Sequence, residues 1–370
     1  MNAYGIIFSD SYSNSIQHEL VRTRSSAALP IACRFRAIDF VLSNMVSAGV
    51  GTIGLLTKQN YASLMEHIGS GKDWDLGRKH GGVTMLTPFA HGNTVAPDVT
   101  NGKLDALRTV PEFLQGARGE YVILAQGNVV ANLDFKDILR RHQESEADVT
   151  LVHATVGEPD GYCLAVQFDE QERLADVRFC TTDKPTDISL GCYVMSKAFL
   201  LSFMEKAELY DWHDLARDLL VRGISELKIN GYKHEGYAAV VSTVSQYYHC
   251  NMDFLDPAQM DSVFPADRPI LTRIHDSVPT MYAYDAKVQG SILADGCDIN
   301  GTVKNSVIFR NVTIEKGATV ENCIIMQGAH IGKNAVLRNV ICDMSVSVSP
   351  DVQLSGSANY PYVLAKGSKV

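Results

Sequence analysis

A short apolar run, Tyr4-Gly5-Ile6-Ile7-Phe8, leads into Ser9-Asp10-Ser11-Tyr12-Ser13-Asn14-Ser15, the place where a nucleotide-binding α/β fold carries a glycine-rich phosphate loop. Such a loop needs glycines because its backbone takes positive φ and brings bare N–H groups against oxygen, which a Cβ obstructs. This stretch has no glycine and carries an aspartate, so it is a poor cradle for a triphosphate. Cations that could meet an anion include Arg34 and Arg36, in Cys33-Arg34-Phe35-Arg36, and Lys184, in Asp183-Lys184-Pro185. Each has a plainer use: Arg36 can pair with Asp39, and a Lys-Pro pair in a turn can be a solvated loop. Asp105, beside Lys103, reads as a helix cap. His18, His67, His80, His213, His234 and His249 have no metal-ligand spacing and read as surface or satisfied core histidines, so no metal site is expected.

The elements that must position these groups alternate. Strands are predicted at Tyr4 to Phe8, Ile53 to Thr57, Val83 to Leu86, Tyr121 to Gln126 and Val149 to Val156. Helices are predicted at Ile38 to Ala48, Tyr61 to Ile68, Leu104 to Leu114 and Phe135 to Gln143. That order predicts a mostly parallel, doubly wound sheet with its ligand cleft at the carboxyl ends of the strands. Beyond Gly161 the pattern turns hairpin-like: Leu164 to Phe168, a charged turn at Asp169 to Glu172, then Ala175 to Phe179. Leu215 to Val221 reads as an amphipathic helix. The division expected is a Rossmann-like domain over 1–256, a linker rich in Pro and Asp over 257–280, and a third segment over 281–370.

That third segment repeats. Asn305-Ser306-Val307-Ile308 recurs as Asn322-Cys323-Ile324-Ile325 and as Asn339-Val340-Ile341-Cys342, every 17 residues. Within the units an apolar residue returns about every six positions: Ile308, Ile314, Val320, then Ile325, Ile331, Leu337, then Cys342, Val348, Leu354. A shorter coil precedes them, with Ser291-Ile292-Leu293, Ile299 and Val303. Hexapeptide periodicity builds a triangular parallel β-helix in which each apolar residue points inward and stacks on its equivalent one coil away. An antiparallel sheet would give period-two alternation and irregular turns.

Composition bounds the rest. At 370 residues and 46% hydrophobic, the chain can bury a large core. No apolar run approaches the ~20 residues that span a bilayer, and Met1-Asn2-Ala3 enters a strand without a signal-like segment. A cytoplasmic location is expected. The net charge of −9 excludes a general nucleic-acid binder. The 8 cysteines lie in apolar contexts without CxxC pairs and are expected to be buried free thiols.

Leu29-Pro30-Ile31-Ala32-Cys33-Arg34-Phe35-Arg36-Ala37-Ile38-Asp39-Phe40, followed by Leu42-Ser43-Asn44, resembles the Arg-x-Ile-Asp-Phe-x-Leu-Ser-Asn segment of the sugar-nucleotide pyrophosphorylases. The resemblance is greatest to the glucose-1-phosphate adenylyltransferases (ADP-glucose pyrophosphorylases) of glycogen and starch synthesis. Trp74-Asp75-Leu76, Gly81-Gly82-Val83 with Leu86 and Pro88, and Asn251-Met252-Asp253 match further motifs of that family. The resemblance implies a Rossmann-like nucleotidyltransferase domain followed by a left-handed parallel β-helix. It also implies a reaction centre, which this chain lacks residue by residue. The two aspartates that hold magnesium in the family fall at Asn128 and Val240, and the lysine beside the transferring phosphates falls at Ser26. The loop arginine has no clear counterpart, although Arg22 or Arg24 could substitute. Magnesium takes anionic oxygen ligands, and an amide with an isopropyl group supplies none. By the same resemblance, Lys184 is the sugar-phosphate-binding residue that remains and Arg34 and Arg36 correspond to an effector-binding stretch.

The resemblance is therefore closest to the non-catalytic GlgD-type subunits. It implies a regulatory chain with no cofactor of its own, in a hetero-oligomer, expected to be a heterotetramer, whose active adenylyltransferase partner uses Mg and ATP and whose effector is a phosphorylated metabolite. Two other readings stand beside it: an active nucleotidyltransferase with replacement residues, and a β-helix acyltransferase, for which His330 is the only histidine in the coils.

Overall fold

The computed structural model describes residues 2–10, 19–58, 60–77, 81–87, 102–157, 163–180 and 184–370. The central strand Ala3–Phe8 is buried along its whole length and pairs in parallel with Thr52–Leu56 on one side and Tyr121–Gln126 on the other. Gly82–Leu86 continues the parallel half. A strand covered on both faces reads as an unbroken apolar run, which is why Tyr4 to Phe8 shows no alternation.

The other half of this 9-stranded sheet is mixed, where a mostly parallel sheet was expected. Thr186–Ser196 runs antiparallel to both Tyr121–Gln126 and Val149–Val156, while Ile229–His234 lies parallel to Val149–Val156. Thr186–Ser196 follows the hairpin of Cys163–Phe168 and Leu174–Cys180 rather than a helical crossover, so nothing forces it parallel. Its register breaks between Ser189 and Cys192. Gly191 sits in the break at φ 64°, and a Cβ there would collide with the Gln126 side chain. One expected helix divides: Lys103–Arg108 and Pro111–Gly116 replace the span Leu104 to Leu114. Pro111 cannot donate the N–H that would continue the first helix and starts the second instead.

Residues 281–370 form a left-handed parallel β-helix of three 5-stranded sheets. Val307 pairs with Ile324 and Ile324 with Ile341, so one coil lies on the next at the repeat read from the sequence. Ile308, Ile314, Val320, Ile325, Ile331, Leu337, Cys342 and Val348 are buried in its interior, and Leu354 packs against them. Asn305, Asn322 and Asn339 recur because they take φ of 45°, 53° and 50° at one corner, a conformation asparagine tolerates better than most residues.

The two parts share a core. Val307, Ile324 and Ile341 point out of the solenoid and join Leu29, Ile31, Phe40, Tyr247 and Phe254. Between them the chain forms a helix, Pro257–Val263, and then runs extended across the helix Ala37–Ser47, where the Leu271 N–H donates to Ser43 Oγ at 2.8 Å. Cys33, Cys163, Cys192, Cys250, Cys297, Cys323 and Cys342 are free and buried.

Candidate functional site

The carboxyl ends of Ala3–Phe8, Thr52–Leu56 and Tyr121–Gln126 bring together Asp10, Ser26, Lys58 and Asn128. The segment containing Ser26 is pinned to the end of the central strand, since Ala27 N donates to Ser9 O at 3.1 Å and Ser26 Oγ donates to the same carbonyl at 3.2 Å. Ser26 is buried and its hydroxyl serves the backbone. The Asp10 carboxylate accepts from Ser9 Oγ at 2.9 Å and from the Lys58 backbone N–H at 3.3 Å. Residues 11–15 of the serine-rich loop lie outside the described residues.

Asn128 and Val240 are neighbours, as a two-carboxylate metal site would require. Ala238–Val240 pairs antiparallel with Val129–Ala131, placing Val240 opposite Val129. The contents of the site are structural. Asn128 is 4% exposed; its Nδ2 donates to Val241 O at 2.8 Å and Ser242 Oγ at 3.2 Å, and its backbone carbonyl accepts from Val241 N at 2.9 Å. Both amide hydrogens are thus spent on closing the corner between the two strands. Val240 packs its side chain against the apolar core. Among the described residues no group of three or more His, Cys, Asp or Glu could hold a metal ion.

Lys103, which the motif reading did not single out, enters this region from below. Its ammonium lies 5.5 Å from the centre of the Phe8 ring, and burial pulls its pKa down to about 8 against the opposing effect of Asp214. An ordinary lysine titrates near 10.4, so between about pH 8 and pH 10.4 the unfolded chain holds a proton the folded chain has released, and stability rises with pH there. Lys103→Met should therefore be more stable than wild type at pH 7, and that advantage should shrink by about 2 to 3 kcal/mol as pH is raised to 11. Urea denaturation of both proteins at pH 7, 9 and 11 measures it. A pH-independent difference would place the ammonium in water.

Lys184 is exposed at the head of the strand Thr186–Ser196, where its carbonyl accepts from Thr186 Oγ1 at 2.9 Å. Asp183 lies outside the described residues. Asp105 sits in the first turn of its helix, whose cap position is Gly102. It accepts from Arg108 Nη1 and pairs with His213 Nδ1, each at 2.8 Å. Of the remaining histidines, His67 faces Asp39 at 2.7 Å and His234 faces Tyr237 O at 3.2 Å, while His330 lies on the outer face of the solenoid, 3.2 Å from Glu315.

Arg34 and Arg36 are placed differently from each other. Arg34 is exposed in the turn between Pro30–Ile31 and Phe35–Arg36, whose two preceding residues, Ala32 and Cys33, take φ of 46° and 64°. Arg36 is half-buried, with Nη1 donating to both Ser63 O and Ser63 Oγ at 2.8 Å. Asp39 contacts its backbone rather than its guanidinium, accepting from Arg36 N at 2.9 Å. Burial lowers the Arg36 pKa, Asp39 opposes that, and Arg24 and Arg273 add to the lowering. His275, lowered first by burial, feels Arg310, Arg273 and Arg36 as well. Arg36 thus shares its surroundings with Arg24, Arg273 and His275 and with the carboxylates Asp39 and Glu66, and a sequence reading does not join Arg273 and His275 to it because they lie more than 200 positions away.

A nucleotidyl transferase family model matches residues 18–232, and a model described as GlmU-like, C-terminal hexapeptide matches residues 278–358. The glycogen biosynthesis protein GlgD of Bacillus subtilis (strain 168) is 35% identical over 363 residues, covering 98% of this chain and 95% of its own length. GlgD of Geobacillus stearothermophilus is 34% identical over 394 residues, covering 98% and 96%. A glucose-1-phosphate adenylyltransferase of Clostridium perfringens (strain SM101 / Type A) is 29% identical over 307 residues, covering 81% and 78%.

Proposed function

We propose, from the premise that this chain belongs to the nucleotidyl transferase family of GlgD and the glucose-1-phosphate adenylyltransferases, that it is a non-catalytic, regulatory subunit of an adenylyltransferase complex in glycogen biosynthesis. The observation that carries this reading is the use of Asn128. At the position of a metal carboxylate stands an amide whose two hydrogens hold Val241 O and Ser242 Oγ, beside a valine with no ligand atom. Phosphoryl-transfer enzymes work almost wholly by positioning and charge stabilisation, and those are the contributors removed. Mg and ATP are used by the active partner.

A subunit without turnover still acts if its contacts favour one state of its partner over another. The surface proposed for the partner is the open first coil of the solenoid, where Met281, Tyr282 and Val288 are exposed on strands with one unpaired edge and Tyr284 is exposed in the turn between them. The occupant is a loop-bearing catalytic homologue, and the assembly is a cytoplasmic heterotetramer. The phosphorylated effector would act through Arg34 and Arg36, and Lys184 would be the contact for a sugar phosphate.

Co-expression with such a homologue, followed by size-exclusion chromatography and pyrophosphorylase assay of each chain alone and together, tests the proposal. The expected result is negligible ADP-glucose synthesis by this chain alone and a mixed complex with higher activity or a changed response to phosphorylated glycolytic intermediates. Arg34→Ala should alter that response with assembly intact. Arg36→Ala should do the same at some cost in stability, because the Ser63 contacts go with it. Magnesium-dependent pyrophosphate exchange by the purified chain alone would establish an active enzyme instead.

A further inference from the structure

Asp10 follows the central strand directly, at the point from which a fold of this class aims backbone N–H groups at a phosphate. Its Oδ2 is the acceptor for the Lys58 N–H and for Ser9 Oγ, at 3.3 and 2.9 Å. The Ser26 N–H and the Lys58 charge also favour its anion. Those donors come from three separate stretches: the end of the central strand, the pinned segment at Ser26 and the end of the neighbouring strand Thr52–Leu56. The Ser9 hydroxyl and the Lys58 N–H converge on one carboxylate oxygen, as they would on an oxygen of a phosphate, since both groups are acceptor-only anions seeking N–H and O–H donors.

We infer that Asp10 is a built-in anion, whose carboxylate fills the phosphate cradle of this chain and closes it to phosphate-bearing ligands. Burial acts against this charge and raises the Asp10 pKa, with Ser9, Lys58 and Ser26 opposing the rise. The charge is therefore held by these donors rather than by water, and a second anion cannot join it without mutual repulsion. The consequence is a subunit that does not withdraw nucleotide or pyrophosphate from its surroundings. The inference deepens the reading of a silent cleft and rests on it, but it concerns binding, so the two fail separately: turnover by the wild-type chain overturns the first, and the binding data below decide the second.

The test is calorimetric titration of the full chain with inorganic pyrophosphate at constant ionic strength, for wild type, Asp10→Ala and Asp10→Ala with Lys58→Ala. Asp10→Ala should bind pyrophosphate at least ten-fold more tightly than wild type, and adding Lys58→Ala, which removes the side-chain charge and keeps the backbone N–H, should reduce that gain without abolishing it. A folded Asp10→Ala that binds no better than wild type overturns the inference, as does a double variant that binds no better than wild type. Should Asp10→Ala not fold, Asp10→Asn keeps the shape and drops the charge. There a three-fold gain supports the inference and unchanged binding overturns it.

Discussion

Asp343→Ala should destabilise the folded chain by about 3 to 5 kcal/mol, a loss read from the shift of the urea midpoint at unchanged slope. Arg24 and Asp343 are 2% and 1% exposed, and Nη2 lies 2.6 Å from Oδ1. The pair joins the first domain to the fourth coil of the solenoid, and two further contacts hold it: Arg24 Nη1 approaches Met326 Sδ at 3.6 Å, and Asp343 Oδ1 also accepts from Met344 N at 2.6 Å. Removing the carboxylate strands a guanidinium that cannot shed its proton and has no water to turn to. The cost is mostly that orphaned charge rather than the worth of the pair. The double variant Arg24→Met with Asp343→Leu should therefore recover most of the loss, since apolar replacements remove both desolvation penalties. A single-variant loss under 1 kcal/mol would mean that water enters the domain junction when the carboxylate leaves. Because Val307, Ile324 and Ile341 lie in one core with Leu29, Tyr247 and Phe254, cutting the chain near Pro269 would strip the first domain of part of its own interior. Point variants on the exposed first coil, at Met281 or Tyr282, are thus a cleaner probe of assembly than truncation.

The parts of this molecule that were legible in the sequence are those whose cause is local or periodic. The inward positions of the solenoid return every six residues because each coil has three sides, and the asparagines mark its corners because each must take positive φ. Tyr4 to Phe8 announces a doubly covered strand by its unbroken apolar run. The antiparallel placement of Thr186–Ser196 was not legible, because strand direction depends on how the preceding hairpin delivers the chain and not on the strand's own residues. Nor was the Arg24–Asp343 pair, whose members are separated by 319 positions in the chain. At the cleft the motif comparison located Ser26, Asn128 and Val240 but said only what they are not. That Asn128 is a two-strand clasp, that Lys103 lies over Phe8 and that Asp10 accepts from both the Ser9 hydroxyl and the Lys58 N–H are facts of tertiary geometry.

Asn128→Asp together with Val240→Asp should leave adenylyltransferase activity at least about 10⁴-fold below that of an active relative, even in millimolar magnesium. Two carboxylates would then stand at the ends of the paired strands, one opposite Val129 and one at the position before it. The change breaks what the site now does, because Asn128→Asp turns two donors into acceptors facing Val241 O, an inversion that costs about 1 to 3 kcal/mol. Ser242 can rotate its hydroxyl to donate, but the Val241 carbonyl cannot. Val240→Asp sets a second charge against the apolar core that Val240 packs on. Asp10 remains a few residues along the same cleft, so a phosphate chain entering with magnesium meets a third carboxylate where it needs N–H donors, and Ser26 supplies no ammonium to offset it. Each missing charge-stabilising contact is worth on the order of 10² to 10³ in rate, so restoring metal ligands while lysine and loop stay absent leaves the chemistry short by several such factors. Single-turnover assay with ATP and glucose 1-phosphate, alongside a thermal-shift titration with magnesium, separates failure to bind metal from failure to react. A rescue to within ten-fold of the active relative would show that the Ser9 to Ser15 stretch handles the triphosphate without glycines, and the account of the dismantled cradle would have to be rebuilt around it.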